Sequence, residues 1–262
     1  MNTNEILKDF YQNYDEDNRL LSRYGYVEYI TTMKYIEKYL KEGMRILEIG
    51  AATGRYSHAL ARKGYKVDAV ELVEHNIEIF KINTQEGEDI TITQGNAMDL
   101  SHFEDNTYDI TLILGPLYHL FTEEDKLKAL KEAVRVTKRG GVVFAAYCMA
   151  DSAILLYGFQ KNEIHNLIKN CKLNAETFDT FSEPFDIFEL HRKEDIEALR
   201  SKLGVQHLHL IATDGYANHI REKLMEMDEE TYNLFLKYHL ATCERQDLLG
   251  YSNHTLDIFR KE

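Results

Sequence analysis

Cysteine and proline are scarce in this sequence, and neither forms a pattern. The 262 residues include three cysteines and two prolines. Cys148, Cys171 and Cys243 stand far apart, without the paired spacing of a zinc site or a disulfide framework. Isolated cysteines of this kind are typical of reduced thiols in a cytoplasm. The eleven histidines are scattered too, with no two placed to bind one ion from a single helical face. No metal is therefore expected.

Long apolar runs are absent as well. No stretch approaches the roughly 18 consecutive apolar residues that suggest a membrane-spanning helix. Residues 1–5 lack the basic and then apolar order of a secretory signal. These absences predict a soluble, cytoplasmic protein without a membrane segment. Since 44% of the residues are hydrophobic and no low-complexity linker interrupts them, we expect one folding unit with a sizeable core.

Positive charge is in deficit, because the formal net charge is −13 at pH 7. A protein that binds nucleic acid neutralises several phosphates with lysine and arginine, usually from a basic patch. The one dense cationic group, residues 131–139, leads into a predicted strand, where cations favour the C-terminal end of a helix. A nucleic-acid partner is therefore disfavoured.

The most informative segment is 46–54, which reads Ile-Leu-Glu-Ile-Gly-Ala-Ala-Thr-Gly. Its apolar first half is typical of a buried parallel strand. Gly50 and Gly54 let the backbone turn tightly and approach a ligand, and a helix follows, as in a nucleotide-binding cradle. The dinucleotide fingerprint does not fit, because Ala52 and Arg55 occupy its second and third glycine positions. A P-loop would need Lys-Ser/Thr after Gly54, which is also missing.

What this segment resembles is the first motif of the class I S-adenosylmethionine-dependent methyltransferases, acid-x-Gly-x-Gly-x-Gly. Here Ala52 replaces the middle glycine, which narrows the loop slightly. The resemblance implies S-adenosylmethionine as the cofactor. The motif residues that it assigns to cofactor binding are Glu48, Gly50, Ala51, Ala52, Thr53 and Gly54.

Two further segments follow in the order of that family. Residues 66–72 form a strand that ends in Glu71 and Leu72. The resemblance implies that the Glu71 carboxylate accepts hydrogen bonds from the ribose hydroxyls, which is a strong charge-assisted contact. Residues 90–99 form a strand and then a loop that borders the adenine in this family. The cofactor-binding residues implied there are Asn96, Ala97 and Met98.

The last two segments complete the first part of the sheet. Residues 108–120 begin with a near-continuous apolar strand, as expected for a central strand buried on both faces. Its end, at Leu114 and Gly115, faces the cofactor, because ligands bind outside the carboxyl ends of such strands. Residues 138–147 read as a basic helix end, a glycine turn and the fifth strand.

The predicted fold is α/β, a doubly wound seven-stranded mixed sheet of the class I methyltransferase type. Residues 1–40 are expected to form an N-terminal lid and first helix, and residues 41–150 the cofactor-binding core. Insertions after strands five and six, at 151–190 and 214–249, should form a helical cap over the methyl donor. Residues 191–213 and 250–262 complete the sheet, with the last strand antiparallel between strands five and six.

Two residues of the N-terminal segment are candidates for the methionine carboxylate of the cofactor. In related methyltransferases such a segment closes over the cofactor. Arg19 suits carboxylate recognition, and Tyr24 lies nearby in the sequence. An ordinary ion pair within the chain is the alternative for Arg19.

His119, just beyond the fourth strand, is the candidate general base for an oxygen or thiol acceptor. Its alternative role is a histidine at a helix start that hydrogen-bonds the backbone or packs on the cofactor. Tyr118 could orient the acceptor or shield the cofactor. Weaker candidates come from the predicted cap: Tyr157, His165 and His219.

The sequence therefore predicts a methyltransferase of a small molecule, with an aromatic or partly apolar acceptor. Residues 115–118, Gly-Pro-Leu-Tyr, lack the acceptor side chain of enzymes that methylate nucleobase amines, which have Asn/Asp-Pro-Pro-Tyr/Phe there. The chain is similar in general to the branch that includes quinone-ring O- and C-methyltransferases. The alternatives are a protein or RNA methyltransferase that docks its substrate on the cap, and a protein that binds S-adenosylmethionine without transferring its methyl. The sequence defines neither the acceptor nor the oligomeric state.

Overall fold

The computed structural model describes residues 3–262. Residues 1 and 2, the beginning of the predicted lid and of the segment tested for a secretory signal, lie outside the described residues. Within residues 3–262, no helix combines the length and apolarity that crossing a membrane requires.

One mixed sheet forms the centre of the protein. Its strands are β1 Arg45–Ile49, β2 Lys66–Glu71, β3 Ile90–Gln94, β4 Tyr108–Ile113, β5 Thr137–Met149, β6 Leu190–His191, β7 Val205–Ala212 and β8 His254–Lys261. The order across the sheet is β3-β2-β1-β4-β5-β8-β7. β8 is antiparallel to both of its neighbours, as predicted. The additional strand, β6, has two residues and pairs with the end of β5.

Helices cover both faces of the sheet. The α-helices are α1 Thr3–Asn13, α2 Glu16–Arg19, α3 Arg23–Tyr39, α4 Arg55–Arg62, α5 Glu74–Asn83, α6 Glu123–Val136, α7 Ala150–Ala153, α8 Ile164–Lys169, α9 Lys193–Ser201, α10 Arg221–Glu226 and α11 Glu229–Thr242. A π-helical turn occupies Ile154–Gln160, and short 3₁₀ turns occupy Pro116–His119, Pro184–Asp186, Ala217–Ile220 and Gln246–Tyr251. The longer helices begin at side-chain caps, for example Ser22 before α3 and Thr122 before α6.

The central strands are apolar because they are buried on both faces. Five of the six residues of β4 are buried, and the side chains of β4 and β5 divide between two core clusters on opposite faces of the sheet. This is the sandwich of helices and parallel strands that the apolar runs predict. The doubly wound fold is confirmed.

The start of β5 differs from the prediction. The sequence predicts a helix end at the basic residues 138 and 139, but α6 ends at Val136 and the strand begins at Thr137. Tyr108 pairs with Thr137 and Ile110 with Val142, so the intervening residues of β5 bulge out of register. The Lys138 ammonium contacts the Asp109 carboxylate at 2.8 Å, and this ion pair holds the bulge against β4.

The two insertions pack against different parts of the structure. The first, residues 151–190, reaches the carboxyl edge of the sheet through Pro184. The second, residues 214–249, packs on α3, where Val27, Ala217, Leu224 and Tyr232 form a separate apolar cluster. Among the described residues, the helix that lies across the cavity at this edge is α1, through Leu7 and Tyr11.

Candidate active site

A cavity of about 270 Å³ opens at the carboxyl edge of the sheet. It extends across β1 and β4, the neighbours between which the chain reverses its winding direction. Ligands of open α/β sheets bind at such a switch point. The sequence-predicted residues that line the cavity are Arg19, Glu48, Gly50, Ala51, Ala52, Thr53, Glu71, Leu72, Asn96, Ala97, Met98, Leu114, Gly115, Tyr118 and His119.

The glycines of the loop after β1 have separate roles. Gly50 has a φ of +71°, and a Cβ there would lie 2.6 Å from Cδ of Pro116. The loop and the turn after β4 can therefore touch only because Gly50 has no side chain. Gly54 has a φ of +90° and does not line the cavity. A Cβ on Gly54 would lie 2.5 Å from the Phe80 ring, so this glycine serves helix packing.

Ala52, at the position of the missing glycine, adopts a φ of +48°. Left-handed backbone costs a residue with a Cβ about 1–2 kcal/mol, whereas glycine adopts it freely. The loop thus keeps the conformation of a glycine loop in spite of the alanine. The substitution therefore narrows the loop by a methyl group and adds backbone strain at this position.

We expect Ala52→Gly to leave the free energy of unfolding unchanged or to raise it by up to about 1 kcal/mol. The relief of backbone strain exceeds or balances the extra entropy of glycine in the unfolded chain, which is about 0.4–1 kcal/mol. Urea denaturation of the purified variant measures the change. The control is Ala51→Gly, because Ala51 is buried and has no positive φ, so that variant should lose stability. Equal losses in both variants would contradict the strain at Ala52.

Glu71 connects the glycine loop to the second strand. It is 6% exposed, and its two carboxylate oxygens accept hydrogen bonds from the backbone N–H of Ala52 and of Val73, both at 2.8 Å. Burial raises the pKa of this carboxyl, and the hydrogen bonds from Val73 and Ala52 oppose that shift. The carboxylate therefore fixes the loop and also lies in the cavity, where ribose hydroxyls could reach it.

Glu48, the acid of the first motif, lies beneath the loop. It is 2% exposed and accepts a hydrogen bond from the Ser57 hydroxyl at the start of α4. Burial raises its pKa to about 8, so at neutral pH this carboxyl carries a proton. A neutral carboxyl avoids the penalty of a buried charge. Its contact with Ser57 joins β1 to α4.

The loop after β3 forms another wall of the cavity. The side-chain oxygen of Asn96 accepts from the backbone N–H of Met98 at 2.9 Å, which closes a tight turn. The Asn96 amide nitrogen remains available for a ring nitrogen or another acceptor. Met98 packs against the main core cluster, so the turn is anchored from below.

Arg19 and Tyr24 have different positions. Arg19 lines the cavity, but its guanidinium contacts Glu28 at 2.7 Å and Glu16 at 2.9 Å, which is the ion-pair alternative. Tyr24 does not line the cavity; its ring lies under the Arg221 guanidinium, 4.7 Å from the ring centroid. The structure therefore does not bring Tyr24 together with the other cofactor residues, because one turn of α3 directs it toward the second insertion.

His119 is held between two partners. Its Nδ1 lies 2.8 Å from the carbonyl oxygen of Ile187, which can only accept, so Nδ1 carries the proton. Nε2 then accepts from the Tyr11 hydroxyl at 2.9 Å. Burial lowers the pKa of His119 to about 4. The ring is therefore neutral at pH 7, and Tyr11 of α1 occupies its free nitrogen.

The contact with Tyr11 is a site feature that sequence reasoning did not specify. The only signal was the polar and aromatic composition of residues 11–19, which predicts a segment that closes over the cofactor but identifies no partner for His119. The other weak candidates lie elsewhere: Tyr157, His165 and His219 do not line the cavity. Nε2 of His219 lies 3.0 Å from the Ser152 hydroxyl oxygen and 3.0 Å from the Tyr251 carbonyl oxygen, which accepts its hydrogen bond.

A second polar group was missed altogether. His254 lines the cavity, and its Nδ1 lies 2.8 Å from Oδ2 of Asp214 and 3.3 Å from Oε2 of Glu28. The ligand atoms of these residues lie within 4.8 Å of one another. Arg19 is bound to Glu28, and the Asn218 amide donates to Asp214 at 2.6 Å. A metal ion would have to displace these partners and the proton on Nδ1, so we assign none, and the absence of a metal stays a prediction.

Comparison with known proteins agrees with this geometry. A family of sequences described as a methyltransferase domain matches residues 47–145. Demethylmenaquinone methyltransferase of Bacillus subtilis is 29% identical over 163 residues, which are 60% of this chain and 66% of that protein. Its counterpart in Staphylococcus aureus is 30% identical over 144 residues, 53% of this chain and 56% of that protein. Residues 47–145 therefore contain a methyltransferase domain, and the fold is that of class I S-adenosylmethionine-dependent methyltransferases.

Solved structures of methyltransferases share the fold. A SAM-dependent methyltransferase from Thermotoga maritima aligns over 100% of both chains, with a TM-score of 0.60 and 18% identity. Magnesium protoporphyrin IX methyltransferase from Synechocystis, with bound S-adenosylhomocysteine, covers 95% of this chain and 88% of its own, with a TM-score of 0.58 and 12% identity. These likenesses concern the fold. The match to the two curated relatives spans 66% and 56% of their lengths, less than two thirds of each.

Proposed function

We propose that this methyltransferase transfers the methyl group of S-adenosylmethionine to a small-molecule acceptor. The observation that supports it best is the cavity at the switch point, which joins the five family motifs and is covered by α1 through Leu7 and Tyr11. A covered cavity suits a small molecule better than a folded protein or an RNA strand. The matched relatives that are named for demethylmenaquinone methylation favour an aromatic, partly apolar acceptor.

The residues fit the adenosyl ligand by chemistry as well as by shape. Gly50 leaves room where a Cβ would clash, Glu71 offers a buried carboxylate for vicinal hydroxyls, and Asn96 offers an amide at the adenine side. When bound, the cofactor supplies an electrophilic methyl group that its positive sulfur already activates. The chain therefore needs to orient the acceptor in line with that methyl and to exclude water.

His119 is one candidate for the general base, under one condition. Its Nε2 accepts from Tyr11, so it can take a proton from an acceptor only after α1 moves or Tyr11 passes the proton on. A pKa of about 4 keeps the ring neutral but makes it a weak base. The contact suits a latch that closes α1 over the cavity.

S-adenosylmethionine and S-adenosylhomocysteine should each stabilise the protein against heat, whereas NAD should not. A ligand at 100 times its Kd adds about 2.7 kcal/mol to the free energy of unfolding. For a chain of this size, that amounts to roughly 2–4 °C for each kcal/mol. Differential scanning fluorimetry with the three ligands at equal concentrations measures the shift. No shift with either adenosyl ligand would contradict the cofactor assignment.

Transfer itself is tested with methyl-labelled S-adenosylmethionine and a metabolite extract. Label in the fraction that passes a small size filter supports the proposal. Label that protease or nuclease treatment removes would instead identify a macromolecular acceptor. Binding without any transfer would identify a protein that senses or sequesters S-adenosylmethionine.

A nucleic-acid acceptor is disfavoured by the ion pairs within the basic segment, residues 131–139. There Arg135 binds Glu132 and Asp105, which neutralises part of its positive charge.

A further inference from the structure

The cavity has two halves that lie over different strands. The family motifs line the half over β1, β2 and β3. The other half lies over β5, β8 and β7, where its lining residues are Ala146, Thr213, His254 and Leu256. The chain reverses its winding between β1 and β4, so the second half lies across the switch point from the adenosyl motifs. This is where an acceptor would meet the methyl end of the donor.

The polar residues of the second half hold His254 in one orientation. Nδ1 of His254 donates to Oδ2 of Asp214 at 2.8 Å. Asp214 is fully buried, and its Oδ1 accepts from the Ser252 hydroxyl at 2.6 Å and from the Asn253 N–H at 2.8 Å. The carboxylate cannot rotate without breaking these bonds. Nδ1 is therefore committed to Asp214. An acceptor hydroxyl would reach the ring through Nε2, in place of the hydrogen bond that the Cys148 side chain makes with His254.

We propose that His254, oriented by Asp214 and Glu28, is the base that removes the proton from a hydroxyl acceptor of phenol or enol type. The proposal rests on the proposed methyl transfer and names its acceptor class. The arrangement is that of an acid–histidine pair, in which the carboxylate fixes the tautomer and stabilises the imidazolium that forms. The aromatic ring of Tyr118, with its centroid 6.3 Å from that of His254, would flank a planar acceptor.

The step balances without any further reactant. The hydroxyl proton of the acceptor passes to Nε2 of His254, which becomes imidazolium. An oxygen electron pair forms the new bond to the methyl carbon, and the bond between that carbon and sulfur breaks with its pair staying on sulfur. The products are the methyl ether, the neutral thioether and protonated His254, whose proton then leaves to solvent.

The charges of this half favour a hydroxyl over an amine. A protonated amine would need a free carboxylate, but Glu28 already binds Arg19 and Asp214 already binds His254 and Asn218. A neutral hydroxyl needs only a base and a hydrogen-bonding environment. The apolar residues beside it, Ala146 and Leu256, match the ring of a phenol or enol.

The pH dependence separates the two candidate histidines. Burial alone lowers the pKa of His254, but Glu28, Cys148 and Asp214 raise it well above its ordinary value. The charged or titratable groups near the ring are Glu28, Asp214, Cys148, Arg19, Tyr14 and Tyr118. Only the deprotonated ring can act as a base, so activity should rise as pH passes upward through the raised pKa of His254. His119 has a pKa of about 4, so a base at that position would make activity depend on pH only in the acid range.

The first experiment follows the His254 ring by NMR in the whole chain, without any acceptor. We expect a pKa above the ordinary histidine value in the wild type, and a decrease of about 1 unit in Glu28→Gln, because an adjacent opposite charge shifts a pKa by 1–3 units. The control is Glu244→Gln, which removes a carboxylate 3.5 Å from His209, outside the cavity. A His254 pKa at or below the ordinary value, or one that Glu28→Gln leaves unchanged, would overturn the proposal even if no acceptor is known.

The second experiment measures kcat against pH with a panel of phenols, enols and primary amines of equal size. We expect transfer to the hydroxyl compounds, an acid limb that moves to lower pH in Glu28→Gln, and at least a 100-fold loss of kcat in His254→Gln. Binding of S-adenosylmethionine by His254→Gln, seen as a thermal shift, shows that the variant is folded. The proposal would be overturned if kcat of His254→Gln still rose with pH as in the wild type, or if only the amines were methylated. Transfer to no compound, with the NMR result intact, would count against the proposed function instead.

Discussion

Gly50→Ala should lower the free energy of unfolding by about 2–5 kcal/mol and abolish stabilisation by S-adenosylmethionine. The new Cβ would lie 2.6 Å from Cδ of Pro116, and φ at this position is +71°. The backbone strain costs about 1–2 kcal/mol, and overpacking adds about 1–3 kcal/mol when the neighbour is rigid. Pro116 is rigid because its ring fixes it to the backbone. Relief of the clash would move the loop or the turn after β4, and both line the cavity.

The matched control is Gly64→Ala. Gly64 has a φ of +88°, but a Cβ there would meet nothing within 4 Å. That variant should therefore show the backbone strain without the clash, about 1–2 kcal/mol, and should bind S-adenosylmethionine normally. Urea denaturation and a thermal shift with the ligand measure both properties. If the two variants lose equal stability and both retain the shift, the contact of Gly50 with Pro116 does not shape the site.

Asp214→Asn should lower the free energy of unfolding by about 3–5 kcal/mol. The Asp214 carboxylate accepts from Ser252, Asn253, Asn218 and His254. Asparagine replaces one accepting oxygen by an NH₂ group, which then faces other donors, and it leaves the His254 imidazolium without its partner. Breaking a buried pair from one side is strongly destabilising, because the other charge stays buried.

Asp228→Asn is the matched control for this substitution. Asp228 caps α11 by accepting from the Thr231 N–H at 2.7 Å. Asparagine caps a helix about as well as aspartate, so this variant should remain close to wild type in urea denaturation. A loss at Asp214 no larger than the loss at Asp228 would contradict the role of the buried network.

The stability difference between wild type and Asp214→Asn should also depend on pH. Burial raises the pKa of Asp214, but the hydrogen bond and charge of His254 lower it below its ordinary value. Its contribution is present above the unfolded pKa and is lost as pH falls through the folded pKa. His254 has a raised pKa, so its contribution is present below its unfolded pKa and is lost as pH rises through its folded value. The difference should therefore be largest between the two unfolded pKa values and should decrease as pH passes through either folded value.

Much of the fold could be predicted because its signals are local. A run such as residues 108–113 is apolar at nearly every position, since β4 is buried on both faces. Gly50 and Gly54 in the loop after β1 predict a backbone with positive φ. The order of the five motifs predicts the order of the strands. The sequence places the start of β5 too late, because a lysine such as Lys138 is typical of a helix end. Its ion pair with Asp109 shows that it belongs to the strand.

The acceptor side of the site had no local signal. None of its three polar residues belongs to a motif or stands out in the sequence. They are Glu28 in α3, Asp214 after β7 and His254 in β8. They meet because β8 inserts antiparallel between β5 and β7 and because α3 packs over that edge. Tyr24 shows the converse: its position near Arg19 in sequence suggested a shared role, but the helix turns it away from the cavity.

The sequence by itself determined the sheet, its winding and the cradle for the adenosyl ligand, because strand apolarity, glycine φ and motif order are properties of short segments. Only the tertiary structure decided that Tyr11 meets His119 and that His254 meets Asp214 and Glu28. Those contacts join residues far apart in the chain, and their geometry depends on how helices pack against a finished sheet. A hydrogen bond needs its atoms placed within a few tenths of an ångström, which no spacing in the sequence can specify.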